Sequence, residues 1–88
     1  MKSVTLYGNA TCPFCAAARM LLTKKGVAFT DISVAADPAL RAEMEERSGR
    51  STVPQIFIED SPIGGFDELY ALDKSGELDK ILAAEPAD

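Results

Sequence analysis

Histidine is absent from this sequence, cysteine occurs only twice, and there is no long apolar run. Each absence removes a class of chemistry. Without histidine there is no Cys-His pair to drive nucleophilic catalysis. With no histidine and no third cysteine, one chain cannot complete the four Cys or His ligands that a structural zinc takes. No leader with a small-residue cleavage site follows Met1-Lys2-Ser3-Val4, and no segment is apolar enough for a membrane span. Basic residues are in deficit, with 9 Lys and Arg against 14 Asp and Glu. A net charge of −5 argues against an electrostatic hold on nucleic acid or anionic lipid, and keeps a small domain soluble. The expected setting is cytoplasmic, with no nucleic-acid or membrane partner. In such a reducing compartment a structural disulfide is hard to keep.

What remains is enough for one folded unit. The 88 residues are 47% hydrophobic, which predicts a single domain over residues 1–88 around one core. Lys2 to Tyr7 alternates, with Val4 and Leu6 on one side and Thr5 and Tyr7 on the other, as a short buried strand does. Pro13 to Lys25 reads as a helix stopped by Gly26, with Ala17, Met20, Leu21 and Lys24 at helical spacing. Val27 to Val34 predicts a second strand. Asp37-Pro38 is a capped helix start, and that helix runs to about Ser48 before Gly49. Val53 to Glu59 predicts a third strand, Asp60-Ser61 a turn, and Pro62-Ile63 a fourth strand. Helices are expected from about Phe66 to Lys74 and from Glu77 to Ala84, and the tail Glu85-Pro86-Ala87-Asp88 is expected to fray. A strand-helix-strand opening followed by a hairpin gives a small four-stranded mixed sheet flanked by helices, in the α/β class.

The two cysteines, Cys12 and Cys15, bracket Pro13 and Phe14 after the first strand and at the start of the first helix. Only a thiolate attacks, and an ordinary thiol is a few per cent ionised at neutral pH. At a helix N-terminus, unpaired N–H groups and the macrodipole favour the anion. Cys12, at or before the first turn, can accept from the N–H of Phe14 or Cys15. Cys15 lies inside the turn and is more shielded. That asymmetry makes Cys12 the attacking sulfur and Cys15 the resolving one. Two inert core thiols are the competing reading, which the proline at the loop-to-helix junction weakens.

Cys12-Pro13-Phe14-Cys15 is similar to the dithiol motif Cys-Pro-Tyr/Phe-Cys of the glutaredoxin family. Thr52-Val53-Pro54 resembles the family's Thr-Val-Pro, and Gly64-Gly65-Phe66-Asp67-Glu68-Leu69 its Gly-Gly-x-Asp-Asp-Leu, in the same order and spacing. The resemblance spans nearly the whole chain. It implies a thioredoxin-like fold, a cis bond before Pro54, and glutathione as cosubstrate. It implies that the extended Val53 backbone pairs with the ligand as a short strand, beside Thr52 and Pro54. Gly65 allows close approach, while the backbone of Phe66 and Asp67 holds the γ-glutamyl carboxylate and the Asp67 side chain its ammonium. Taken without the resemblance, Asp67 reads first as a helix N-terminal acid with no ligand. Arg41 is in the family's place for the glycyl carboxylate, and fits a solvated helix residue as well. Many glutaredoxins carry lysine where this chain has Asn9, so the usual cation beside the thiolate is missing and weaker glutathione affinity is expected. Phe14 is expected to cover an apolar floor.

The function implied is glutathione-dependent reduction of protein disulfides and glutathione mixed disulfides, by a monomer acting on disulfide-bearing or glutathionylated proteins, with no metal. Two alternatives share the fold: an electron donor recharged by thioredoxin reductase, and a dimeric carrier of a glutathione-ligated iron–sulfur cluster through Cys12.

Overall fold

Residues of the opening strand alternate between two cores, and this organises the whole chain. The structure, a computed structural model, describes residues 2–83. Strand β1 (Val4–Gly8) is parallel to β2 (Thr30–Ser33) and antiparallel to β3 (Gln55–Ile58), which is antiparallel to β4 (Ser61–Gly64). The sheet order is β2-β1-β3-β4. The helices are α1 (Pro13–Lys24), α2 (Pro38–Ser48), α3 (Phe66–Ser75) and α4 (Glu77–Ala83). Successive strand residues point to opposite faces. Val4, Leu6, Ile56 and Ile58 therefore pack with Ala18 and Leu22 of α1, Leu69 of α3, and Leu78 and Leu82 of α4. Tyr7 and Phe57 face the other way, against Met44 of α2 and Val34. The buried Tyr7 hydroxyl donates to Glu43 at 2.7 Å and accepts from Arg47 at 2.6 Å, so its polar end is satisfied.

The mixed four-stranded sheet with flanking helices matches the sequence expectation, and α2 does so in detail. Asp37 Oδ1 accepts from the N–H groups of Ala39 and Leu40, both at 3.1 Å, with Pro38 first in the helix and Gly49 after its end. Among the described residues no helix is long and apolar enough to cross a membrane.

Other expectations shift. The first strand is Val4–Gly8 rather than Lys2 to Tyr7. Ala17, Met20, Leu21 and Lys24 do lie on a helix, whose buried residues are Cys15, Ala18 and Leu22, with Met20 74% exposed. Cys15 seats the helix against Gly8 of β1, a close approach that a count of apolar residues does not weigh. Strand β2 starts at Thr30, because the Val27 N–H donates to Leu22 O at 3.0 Å and closes α1 instead. Strand β3 starts at Gln55, after a proline that has no N–H for a ladder. The hairpin turn is Glu59-Asp60 rather than Asp60-Ser61, and Ser61 already pairs with Ile58. Glu59 takes a left-handed conformation (φ 55°), and its N–H and carboxylate both bond Ser3 at 2.9 Å. Helix α3 extends to Ser75, and the expected end of the last helix at Ala84 and the frayed tail lie outside the described residues.

Candidate active site

Cys12 is the N-cap of α1, and its sulfur accepts from the Cys15 N–H at 3.4 Å. Pro13 follows in the first turn, where a missing N–H costs nothing. Cys12 is half-buried, Cys15 is fully buried, and the two are unbridged. What lets Cys15 sit so deep is Gly8 at the end of β1. A Cβ there would lie 2.8 Å from Cys15 Sγ and 3.3 Å from Cys15 Cβ. Gly8→Ala is therefore expected to destabilise the fold by about 1–3 kcal/mol and to move the start of α1. Urea denaturation checks the first effect and the rate of Cys12 alkylation the second; a parent-like value in both would contradict this packing.

The environments of the two sulfurs split their acidities. Burial opposes charge on Cys12, but hydrogen bonds from the Cys15 thiol and from the N–H groups of Cys15 and Phe14, with the positive field of Arg19, outweigh it. Its pKa falls below the ordinary thiol value. Cys15 moves the other way. Burial is the main cause, its bond to Cys12 and repulsion from that thiolate add to it, and the thiol is pushed up to about 11. In its protonated form Cys12 also reaches the Val53 carbonyl, 3.8 Å away.

A cleft of about 190 Å³ opens beside this sulfur. Thr52, Val53 and Pro54 form one wall, with the Val53-Pro54 bond cis, and Gly65, Phe66 and Asp67 form the other. Six of the seven candidate ligand-binding residues are thus brought together, and Arg41 is not. Its guanidinium donates to Ser51 O and pairs with Glu45 at 3.5 Å, steadying the loop that leads into Thr52. Phe14 stands on the rim instead of covering a floor. It is 60% exposed with its ring 6.4 Å from that of Phe66, because Cys15 takes the inward position of that helical turn.

Several residues that shape the site escape a sequence reading. Arg19 supplies the positive charge that position 9 lacks, held by Asp31 at 2.8 Å and by the Asn9 carbonyl at 3.2 Å. Its place one helical turn after Cys15 is the signal that could have found it. Asn9 itself turns its side-chain oxygen to the Thr11 N–H at 3.2 Å. Buried Gln55 donates to the Thr52 carbonyl at 3.0 Å and hydroxyl at 3.2 Å, fixing the wall from beneath. Arg50, outside all three motifs, completes the cleft lining beside Glu68 of the third.

The arrangement has known counterparts. The glutaredoxin family model matches residues 4–63. Glutaredoxin 3 of Escherichia coli (strain K12) is 51% identical over 82 residues, covering 93% of this chain and 99% of that protein. The solution structure of glutaredoxin from Brucella melitensis superposes with a TM-score of 0.85 at 49% identity, covering 100% of this chain and 96% of that one. A dithiolic glutaredoxin from Trypanosoma brucei brucei gives 0.83 at 36% identity, covering 93% and 88%. Their shared architecture is the thioredoxin-like fold that the resemblance implies. With an acidified and a shielded thiol at one helix start, beside a cleft walled by both downstream motifs, the chain belongs to the glutaredoxin family of thiol-disulfide oxidoreductases.

Proposed function

We propose that this protein uses glutathione to reduce glutathione mixed disulfides and protein disulfides, as a cytoplasmic monomer. The observation that carries the reading is the cleft that joins the Val53 carbonyl, 3.8 Å from the Cys12 sulfur, to the first turn of α3. Glutathione is a peptide thiol with two carboxylates and one ammonium, and this surface suits it. The extended Val53 backbone offers strand-like pairing flanked by Thr52 and Pro54. Gly65 admits the ligand backbone, the N–H groups of Phe66 and Asp67 receive a carboxylate, and the Asp67 side chain receives the ammonium. Arg41, beside the loop rather than in the cleft wall, meets the second carboxylate only from the cleft's edge.

The reaction follows from the two acidities. With a glutathionylated protein, the Cys12 thiolate attacks the glutathione sulfur, and the protein thiolate leaves and takes a proton. A second glutathione thiolate attacks the glutathione sulfur on Cys12, releasing glutathione disulfide and the Cys12 thiolate. The protein sulfur is reduced at the expense of the incoming glutathione, while the glutathione carried in the mixed disulfide stays at the disulfide level throughout. With a protein disulfide, Cys12 forms a mixed disulfide and Cys15 displaces the protein's second thiol from it. The resulting Cys12–Cys15 disulfide is then reduced by two glutathiones.

The discriminating measurement offers the oxidised protein either glutathione with glutathione reductase or thioredoxin reductase, each with NADPH, and follows NADPH consumption. Turnover with glutathione at a rate about tenfold or more above that with thioredoxin reductase is the expected result. The reverse preference would remove the glutathione reading and leave only the fold-level assignment.

A further inference from the structure

Arg50 belongs to none of the three motifs, yet it lines the same cleft as Thr52 and Asp67. Among the described residues lining that cleft it is the one cation, and it faces two carboxylates, Asp67 and Glu68. Its guanidinium bonds Glu68 Oε1, and that same oxygen accepts from the Gly65 N–H at 3.0 Å. The Gly65 N–H, then Arg50, hold the Glu68 carboxyl below the usual carboxylate range, so it carries its charge at neutral pH. The carboxylate is pressed against the turn before α3. Gly64 adopts φ 113°, and a Cβ there would collide with Glu68 Oε1.

The pair does little for the fold itself. Arg50 and Glu68 side chains are 55% and 39% exposed, and an ion pair that wet contributes about 0–1 kcal/mol. Its position matters more than its strength. A negative charge sits one residue from the N–H groups of Phe66 and Asp67, where the ligand's own carboxylate has to settle. Without Arg50 the cleft would hold two carboxylates and no lining cation, on a chain that is already net −5.

We propose that Arg50 is a specificity-determining residue: by neutralising Glu68 it makes the cleft selective for an acidic thiol over a neutral one of similar reactivity. This rests on the glutathione reading above and names how the site distinguishes that ligand. No bond is made or broken in the role. Arg50 alters only the charge that the incoming carboxylate meets.

The test uses the full chain with Cys15→Ser, so that a mixed disulfide on Cys12 is stable. The protein is equilibrated with glutathione and its disulfide, and in parallel with β-mercaptoethanol and its disulfide, and occupancy of Cys12 is read by intact mass. Arg50→Gln is expected to lower the equilibrium constant for glutathionylation roughly tenfold and leave the mercaptoethanol adduct within about twofold. Adding Glu68→Gln, which keeps an oxygen for the Gly65 N–H, is expected to restore most of the loss. An unchanged constant in Arg50→Gln, an equal loss for both thiols, or a loss that Glu68→Gln does not relieve would each overturn the proposal. If the Arg50-bearing protein itself shows no preference for glutathione, the glutathione reading fails, and this role with it.

Discussion

Cys12→Ser is expected to abolish both reduction of glutathione mixed disulfides and reduction of protein disulfides, whereas Cys15→Ser abolishes only the second. The asymmetry comes from position. Cys12 is the N-cap, held by the Cys15 N–H at 3.4 Å, only half-buried and 3.8 Å from the Val53 carbonyl, so it is the sulfur an incoming disulfide can meet. Serine in its place has no anion at neutral pH and no redox chemistry, and the rate should fall by roughly 10³-fold or more. Cys15 is fully buried and enters only after Cys12 has formed a mixed disulfide. That step also prepares it, because bonding Cys12 removes the thiolate whose repulsion helps hold the Cys15 proton. A glutathione-coupled assay on a glutathionylated peptide and on a protein disulfide, run with each variant, reads the split directly. Equal loss from both substitutions on the glutathionylated peptide would contradict these roles.

The second large effect is on pH dependence. Cys12 titrates below the ordinary thiol value, and Cys15 only near about 11. At pH 7 iodoacetamide should modify Cys12 faster than Cys15 by about 100-fold or more, since only thiolate reacts. Peptide mapping of briefly alkylated protein gives the ratio, and comparable labelling of both sites would refute the acidity split.

Stability of the reduced protein follows the same shifts with opposite signs. The depressed Cys12 contributes stability that is present above its unfolded pKa and lost as pH falls through its folded one. The raised Cys15 contributes stability that is fully present below an unfolded thiol pKa of about 8.5 and is lost as pH rises to about 11. Across that alkaline window the loss approaches about 1.4 kcal/mol per pH unit. Urea denaturation of the reduced protein at pH 7, 8.5 and 10 should show a steeper alkaline decline in the parent than in Cys15→Ser, which has no buried thiol to ionise. Parallel curves would show that Cys15 titrates normally.

Much of this site is legible before any coordinates. Three separated motifs, at Cys12 to Cys15, Thr52 to Pro54 and Gly64 to Leu69, already contain eight of the nine residues that line the cleft, all but Arg50. The cap and proline at Asp37-Pro38 give a helix to the residue. What fails to show is what depends on approach through space. Helical spacing in α1 does not say which face turns inward; Cys15 seats against Gly8, and Met20 is left outside. Arg41, in the family's place for a carboxylate, is drawn to Ser51 and Glu45, while Arg50 stands in the cleft.

The amino-acid sequence by itself determined the chemistry. With two cysteines at one helix start and no histidine, this chain's candidate for covalent catalysis is thiol-disulfide exchange, and period-2 and period-3.6 patterns determined the elements that carry it. The tertiary structure alone decided the electrostatics. Arg19 stands one helical turn after Cys15, but the Asp31 that holds it lies twelve residues on, and Arg50 meets Glu68 eighteen residues on, so these ion pairs exist only once folding has brought those segments together. Local periodicity governs backbone form because it acts between near neighbours. Coulomb interactions act through space, and space between distant residues is what folding creates.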